Sequence, residues 1–213
     1  MTIDPQNVGG ATAAGIIERA KNIILTPAAE FERIDAEPAD VNKIYMGYAL
    51  PLVVLGAICT FIGLSVIGVS AFGVSYKVPI VTGAVLAVLR VVLGLVGLYL
   101  MAMITNALAP NFGSQPNMGK AHQFAVYGAT AGLLAGVFSI IPALGILGLV
   151  GLYSFYLWFV GLGKLMKTPD DKRIIYLIVI IVLAIIVQIV IGSVVGAVQM
   201  SMGGVPAMPM TSY

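Results

Sequence analysis

The stretch IIYLIVIIVLAIIVQIVIGSVVGAVQM, residues 174–200, decides the fold, because it carries no charged side chain along its whole length. About 20 consecutive apolar residues are enough for a helix to cross the hydrocarbon core of a bilayer. The rest of the 213-residue chain is similar, with 60% hydrophobic and only 9% charged residues. A soluble domain usually carries about 25% charged residues. The sequence therefore predicts an integral membrane protein.

The apolar segments are helical in length rather than strand-like. Strands of a membrane barrel alternate in polarity over about ten residues, whereas these segments are longer and continuous. We predict an all-α fold, a bundle of five transmembrane helices over residues 45–68, 79–104, 122–141, 143–162 and 174–200. The third and fourth spans are separated only at Ile141-Pro142, which predicts a tight helical hairpin.

The segment that precedes the spans has a different pattern. Residues 1–14 are small and polar, and we predict that they are disordered. Residues 15–44 contain a helical pattern with a polar face, interrupted at Pro27. Its apolar residues recur every three or four positions, at Ile16, Ala20, Ile23, Pro27, Phe31 and Ile34. Two placements are open for this amphipathic segment: along the membrane surface, or packed on the protein's own cytoplasmic face.

The basic residues indicate the orientation, because cytoplasmic loops are enriched in lysine and arginine. With five crossings, one side receives only Lys77. The other side receives Arg19, Lys21, Arg33, Lys43, Lys120, Lys164, Lys167, Lys172 and Arg173. We therefore predict a cytoplasmic N-terminus and an extracytoplasmic tail over residues 201–213.

Glycines inside the spans mark candidate helix-packing faces. Gly128, Gly132 and Gly136 repeat every four residues in the third span, and Gly192 and Gly196 do so in the fifth. This spacing lets two helix backbones approach closely. The sequence leaves two interpretations open: packing within the bundle, or a face for a partner helix or a second copy.

Two further groups of residues are candidates for function. Arg90 is the only charge within a predicted span, and such a charge either extends toward the headgroups or contacts a ligand or partner. The loop after the fourth span is a candidate cytoplasmic contact surface for a partner or anionic lipid. Its charged residues are Lys164, Lys167, Asp170, Asp171, Lys172 and Arg173.

Signals for an enzyme are missing from the sequence. The single cysteine, Cys59, makes no internal disulfide or metal cluster, and no carboxylate pair or nucleophile–base pattern is visible. We therefore predict no catalytic residue, no metal and no cofactor, and His122 is interpreted as structural. The net charge of +2 is too small to indicate a nucleic-acid partner.

Several motifs resemble the Yip family of Ypt/Rab-interacting membrane proteins. The strongest stretch runs from Ile141-Pro142 through Tyr153-x-x-Tyr156-Leu157-x-x-x-Gly161-Leu162 to Thr168-Pro169-Asp170-Asp171-Lys172. Ile24-Leu25-Thr26-Pro27-x-x-x-Phe31-x-x-Ile34 resembles the family's short helix before the first span, and Phe112-Gly113 before the third span also fits. The resemblance covers about residues 16–200.

The resemblance implies a compact bacterial-type member located in the inner membrane. Eukaryotic members are non-enzymatic proteins of Golgi and endoplasmic-reticulum membranes, linked to Rab proteins and membrane shape, and they associate with related members. This chain lacks their long N-terminal region. The resemblance assigns no catalytic or ligand-binding residue.

Two functions follow as hypotheses. The first is a non-enzymatic membrane scaffold, adaptor or accessory subunit, whose partners are the lipid bilayer and another membrane protein or a second copy. The alternative is a small-solute or lipid transporter or channel that acts as an oligomer, with Arg90 facing the pore. Flux through vesicles that Arg90→Ala abolishes would favour the alternative.

Overall fold

A computed structural model describes residues 12–71 and 74–202, which form seven helices and one two-stranded hairpin. The elements are α1 (Ala13–Leu25), α2 (Pro27–Ala36), α3 (Val41–Ile67), β1 (Val69–Ala71), β2 (Val74–Tyr76), α4 (Ile80–Phe112), α5 (Met118–Ile140), α6 (Pro142–Lys164) and α7 (Asp170–Ser201). Helices α3 to α7 are each long and apolar enough to cross a bilayer. The prediction of an all-α membrane fold with five spans is confirmed.

Side-chain caps define where several helices begin. The Thr12 hydroxyl accepts a hydrogen bond of 3.2 Å from the Gly15 amide, so α1 begins at Ala13, within the segment that we expected to be disordered. The Asn117 side chain accepts from the Lys120 amide at 3.1 Å and starts α5 in the same way. Residues 1–11 of the predicted disordered segment and residues 203–213 of the predicted tail lie outside the described residues.

A short antiparallel hairpin, absent from the sequence prediction, connects α3 to α4. Val69 pairs with Tyr76, and Ala71 pairs with Val74. Gly68 precedes the first strand with φ of +88°, a conformation that is accessible to glycine without a steric penalty. The strands have three residues each, which is too short for an alternating pattern to show in the sequence.

The junction between the third and fourth spans is tight, with Ile141 in an extended conformation. On both sides of Ile141 the chain winds as a 3₁₀ helix, over Gly136–Ile140 and Pro142–Leu152. Runs of 3₁₀ helix longer than three or four residues are uncommon because their hydrogen bonds have poorer geometry. No residue of Pro142–Leu152 is buried, so this half of α6 lies apart from the core of the bundle.

Packing is uneven along the bundle. Helix α4 packs against α3, α5 and α7, while α6 packs against α5 and α7. The larger apolar core combines side chains of the spans with those of α1 and α2, including Ile23, Phe31, Ile34, Tyr48, Phe124, Leu157 and Tyr176. A smaller core around Val78, Leu86 and Val195 lies near the β hairpin. The end of the bundle where Lys120, Lys164 and Asp170 lie, here called the charged end, is therefore its better packed end.

Candidate functional site

Helices α1 and α2 form a hairpin that packs on the membrane domain. Pro27 occupies the first turn of α2, where its missing amide hydrogen costs nothing. At the turn, the Tyr153 hydroxyl donates to the Ile24 carbonyl at 3.1 Å. Tyr153 precedes Lys164 by eleven residues, so the turn lies about 16 Å from the charged end along α6. Of the two placements left open by the sequence, the structure shows packing on the protein.

A buried ion-pair network holds the two arms of this hairpin together. Arg19 contacts Glu30 at 3.0 Å and Glu37 at 2.8 Å, and Arg33 contacts the second oxygen of Glu30 at 3.2 Å. Arg19 and Glu30 are only 6% and 3% exposed. The Arg19 guanidinium lies 5.7 Å from the ring centroid of Tyr127 in α5. Burial alone would lower the pKa of Arg19, but the hydrogen bond and charge of Glu37 outweigh it and raise the pKa.

The sequence pattern contains a signal for this network, although the prediction placed Arg19 and Glu30 on polar faces. Arg19 follows Ile16 by three residues and precedes Ile23 by four, which places it on the apolar face. Glu30 likewise follows Pro27 by three residues and precedes Ile34 by four. Opposite charges on two facing apolar stripes indicate a buried pair, because an unpaired charge there would be costly.

Basic residues at the charged end of α5 and α6 contact α2, the second helix of the hairpin. The Lys120 ammonium donates to the backbone carbonyls of Asp35 at 2.5 Å and Glu37 at 3.3 Å, at the carboxyl end of α2. A cation is favourable there because the last carbonyls of a helix lack partners. Lys164 pairs with Glu32, and Lys167 pairs with Asp35 at 2.5 Å.

The predicted contact loop is thus partly occupied by contacts within the chain. In addition to the pairs of Lys164 and Lys167, Arg173 pairs with Asp170 and lies 5.3 Å from the ring centroid of Phe159. Asp171 and Lys172 make no ion pair among the described residues. The role of this loop as a contact surface stays a prediction. Fewer of its charged side chains are left without an ion pair than the sequence indicates.

The hairpin contacts predict a dependence of stability on acid pH. Partial burial alone would raise the pKa of Asp35, but the pairs with Lys167 and Lys120 outweigh it and lower the pKa. A carboxyl with a lowered pKa stabilises the fold above its unfolded pKa, and this contribution is lost as the pH falls below about 4. Asp35→Asn should therefore lower the thermal midpoint at pH 6 by about 1–3 °C and much less at pH 3, followed by the fluorescence of Trp158. Equal effects at both pH values would contradict this assignment.

The glycines of the third span pack within the bundle. A Cβ atom on Gly128 would lie 2.2 Å from the Trp158 ring, and the Gly132 amide donates to the Ser154 hydroxyl at 2.9 Å. A Cβ on Gly136 would lie 3.5 Å from the Cα of Gly56 in α3. This glycine face therefore receives α3 and α6 of the same chain.

The glycines of the fifth span are open. A Cβ on Gly192 or Gly196 would meet no atom of the described residues within 4 Å. Gln188 precedes Gly192 by four residues and so continues the same helix face. Its side chain is exposed and forms no hydrogen bond with the described part of the chain. Gln188, Gly192 and Gly196 together are called the open face of α7.

A cavity of about 580 Å³ lies between α4, α5, α6 and α7. It is lined mainly by apolar and small residues, and its polar lining side chains are Ser154, Trp158 and Gln188. Arg90 lies in α4 four residues before Gly94 and seven before Gly97, two residues that line the cavity. This spacing places the three on one side of the helix. Arg90 is half-buried and makes no hydrogen bond or ion pair with the described residues.

The remaining polar residues considered in the sequence have structural surroundings. His122 is 2% exposed, its Nδ1 lies 3.1 Å from the Tyr45 hydroxyl, and its ring centroid lies 4.9 Å from that of Tyr99. Cys59 is a buried free thiol. Residues 12–71 and 74–202 contain no cluster of three histidine, cysteine or acidic side chains able to hold a metal ion.

Five apolar helices with an N-terminal amphipathic hairpin define a polytopic helical membrane protein. The sequence model of the Yip1 domain matches residues 21–192, and the chain belongs to the Yip1 domain family. The inner membrane protein YohC of Escherichia coli K12 is 30% identical over 117 residues, which cover 54% of this chain and 60% of that protein. YohC of an O6:H1 strain of the same species matches equally. No solved structure matches the chain.

The matched segment covers less than two thirds of the length of these curated relatives. The family assignment confirms the resemblance drawn from the motifs. Together with the apolar helices, the relatives support the prediction of an integral inner membrane protein.

Proposed function

We propose that the protein is a non-enzymatic membrane scaffold or adaptor that binds a helix of a second copy, or of a related membrane protein, through the open face of α7. The observation that carries this proposal is that a Cβ on Gly192 or Gly196 would contact nothing within 4 Å in the part of the chain that the structure describes, whereas the third-span glycines are covered by their own chain. The glycine stripes of the third and fifth spans therefore have different roles. One closes the bundle, and the other is available to a partner.

The position of Gln188 supports the same proposal. It lies about 22 Å along α7 from Arg173 and about 20 Å from Ser201, near the middle of the span. An amide in hydrocarbon without a hydrogen bond is costly, and side-chain amides on two helices can satisfy each other. A second copy that meets this face about a two-fold axis would bring two Gln188 amides together.

The proposed orientation places the charged end in the cytoplasm. Lys120, Lys164 and Lys167 gather there with the α1–α2 hairpin, whereas Lys77 lies at the opposite end. The enrichment of cytoplasmic loops in basic residues supports a cytoplasmic N-terminus and an extracytoplasmic C-terminus. In this orientation the hairpin and Asp170–Arg173 form the surface available to cytoplasmic partners.

Association in vesicles tests the proposal. We expect energy transfer between two differently labelled copies of the chain. We expect the double variant Gly192→Leu/Gly196→Leu to weaken association about tenfold, because the two leucine side chains hold the helix backbones apart. Ala197→Leu is the matched control, because Ala197 is exposed on another side of α7. Equal energy transfer in the control and the double variant would exclude the open face, and mass spectrometry of nanodiscs from the source membrane identifies a heterologous partner.

A further inference from the structure

The cavity between α4, α5, α6 and α7 is partly open to the surroundings of the bundle, so it is not an enclosed packing defect. Protein interiors are close-packed, and voids larger than a water molecule are few. At about 580 Å³, this one falls within the range of about 300–1,000 Å³ typical of small-molecule sites. Small residues of all four helices create the space, among them Gly94, Gly132, Gly151 and Ala184. Because it is open to the bilayer, a molecule from the surroundings can enter it.

The lining of the cavity favours a hydrocarbon chain over water. A buried water needs two to four polar partners. Three lining side chains carry polar atoms: the Ser154 hydroxyl already accepts from the Gly132 amide, whereas the Trp158 Nε1–H and the Gln188 amide have no partner among the described residues. The other fourteen lining residues are apolar or glycine. Leu98, Leu133 and Ile189 are typical of the remaining lining. Within the bilayer, the available apolar molecule is the acyl chain of a lipid.

Arg90 supplies the charge that selects the headgroup. Helix α4 begins at Ile80, on the side of the bundle opposite the charged end. The Cα of Arg90 lies about 15 Å along the helix from Ile80. Arg90 precedes Gly94, the first residue of α4 that lines the cavity, by about one helical turn. Helical side chains lean toward the N-terminus, so we expect its guanidinium to extend from there toward the membrane surface. All nine acidic residues lie at or before Asp40, or at Asp170 and Asp171. No acidic side chain of the sequence lies between these positions, and none of the described residues pairs with Arg90, so an anion from outside the chain is the partner that we consider.

We propose that this cavity is a binding site for an anionic phospholipid. One acyl chain lies between α4, α6 and α7, and the lipid phosphate pairs with Arg90. Guanidinium and phosphate match in charge and can form two parallel hydrogen bonds. A phosphodiester lipid without a compensating ammonium group fits best, because no acidic side chain is present to receive an ammonium. The site shares Gln188 with the open face of α7, but lipid retention by Arg90 and the cavity does not depend on association through that face.

Native mass spectrometry tests this assignment with the full chain. The protein is reconstituted in vesicles of phosphatidylethanolamine with a minor share of phosphatidylglycerol, then extracted gently, and the retained lipids are counted. We expect one retained phosphatidylglycerol, and about tenfold less retention by Arg90→Gln, since a hydrogen bond to a charged group is lost. Lys77→Gln is the control, because Lys77 is exposed and donates to the Val66 carbonyl instead.

A second variant tests the cavity without touching the charge. Ala184→Leu places a larger side chain in the cavity while Arg90 is kept, and we expect it to retain at least tenfold less lipid. Ala197→Leu, on another side of α7, should retain lipid like the unmodified chain. The proposal is overturned if the unmodified chain retains no lipid or shows no preference for phosphatidylglycerol. It is also overturned if both Arg90→Gln and Ala184→Leu retain as much lipid as their controls.

Discussion

Arg19→Met should lower the thermal midpoint of the protein by about 6–12 °C. The substitution leaves Glu30, which is 3% exposed, without its buried partner, and removes the contact with Glu37. Breaking a buried ion pair by removing one member costs about 3–5 kcal/mol, and the remaining contact from Arg33 favours the lower end of that range. For a chain of this size, each kcal/mol changes the midpoint by about 2–4 °C.

The buried thiol of Cys59 provides the measurement. It is the only cysteine of the chain, and it reacts with a maleimide dye only when α3 is exposed by unfolding. Arg33→Met is the matched control, because Arg33 contacts the same carboxylate but its side chain is 65% exposed. An exposed pair contributes about 0.2–1 kcal/mol, so the control should move the midpoint by no more than about 4 °C.

The same variant separates local from global unfolding. If only the α1–α2 hairpin detaches, Cys59 stays protected, and trypsin cleaves after Lys21 or Arg33 at temperatures where the unmodified chain resists. Either early labelling of Cys59 or early cleavage of the hairpin is consistent with a stabilising network. If the Arg19→Met and Arg33→Met variants behaved alike in both assays, the buried ion pair would contribute nothing to the stability of the protein.

The membrane spans could be predicted from the sequence because one physical constraint dominates them. A run such as residues 174–200 can satisfy its backbone in hydrocarbon only as a helix, whatever its neighbours are. The first and last residues of the helices are predicted less accurately, because caps such as Thr12 and Asn117 are local hydrogen bonds that hydropathy does not describe. The 3₁₀ winding of Pro142–Leu152 also escapes hydropathy, since its composition is as apolar as that of an α-helix.

The candidate sites were less predictable because they depend on which helices meet. Glycine spacing is the same in the third and fifth spans, yet Trp158 covers Gly128, while none of the described residues lies within 4 Å of a Cβ on Gly192. Lys164 and Lys167 look like free charges in the sequence, and only the fold brings Glu32 and Asp35 to them. Arg90 was identified from its charge alone, but its relation to a cavity required the positions of four helices.

Gly128→Ala should be among the most destabilising substitutions of a single small residue in this chain. The new Cβ would lie 2.2 Å from Cδ1 and 2.7 Å from Nε1 of Trp158. The rings of Phe155 and Phe124, at 5.6 Å and 6.5 Å, hinder the indole on their sides, so that it could move only toward the cavity that it lines. Overpacking of a core typically costs about 1–3 kcal/mol, and we expect the upper end here, a loss of about 6–12 °C in the Cys59 midpoint.

Gly192→Ala is the control for Gly128→Ala, since the same methyl group meets no atom within 4 Å there. It should change the midpoint by no more than about 2 °C, because surface substitutions usually stay within about 0.5 kcal/mol. Trp158→Leu is destabilising by itself, but Gly128→Ala should add little in that background, since the clash is gone. If the effects of the two substitutions on the midpoint were strictly additive, the destabilisation by Gly128→Ala would not come from a clash with the indole. Similar midpoints for Gly128→Ala and Gly192→Ala would mean that the two glycine stripes are equally free, and the distinction between an internal and an open face would fail.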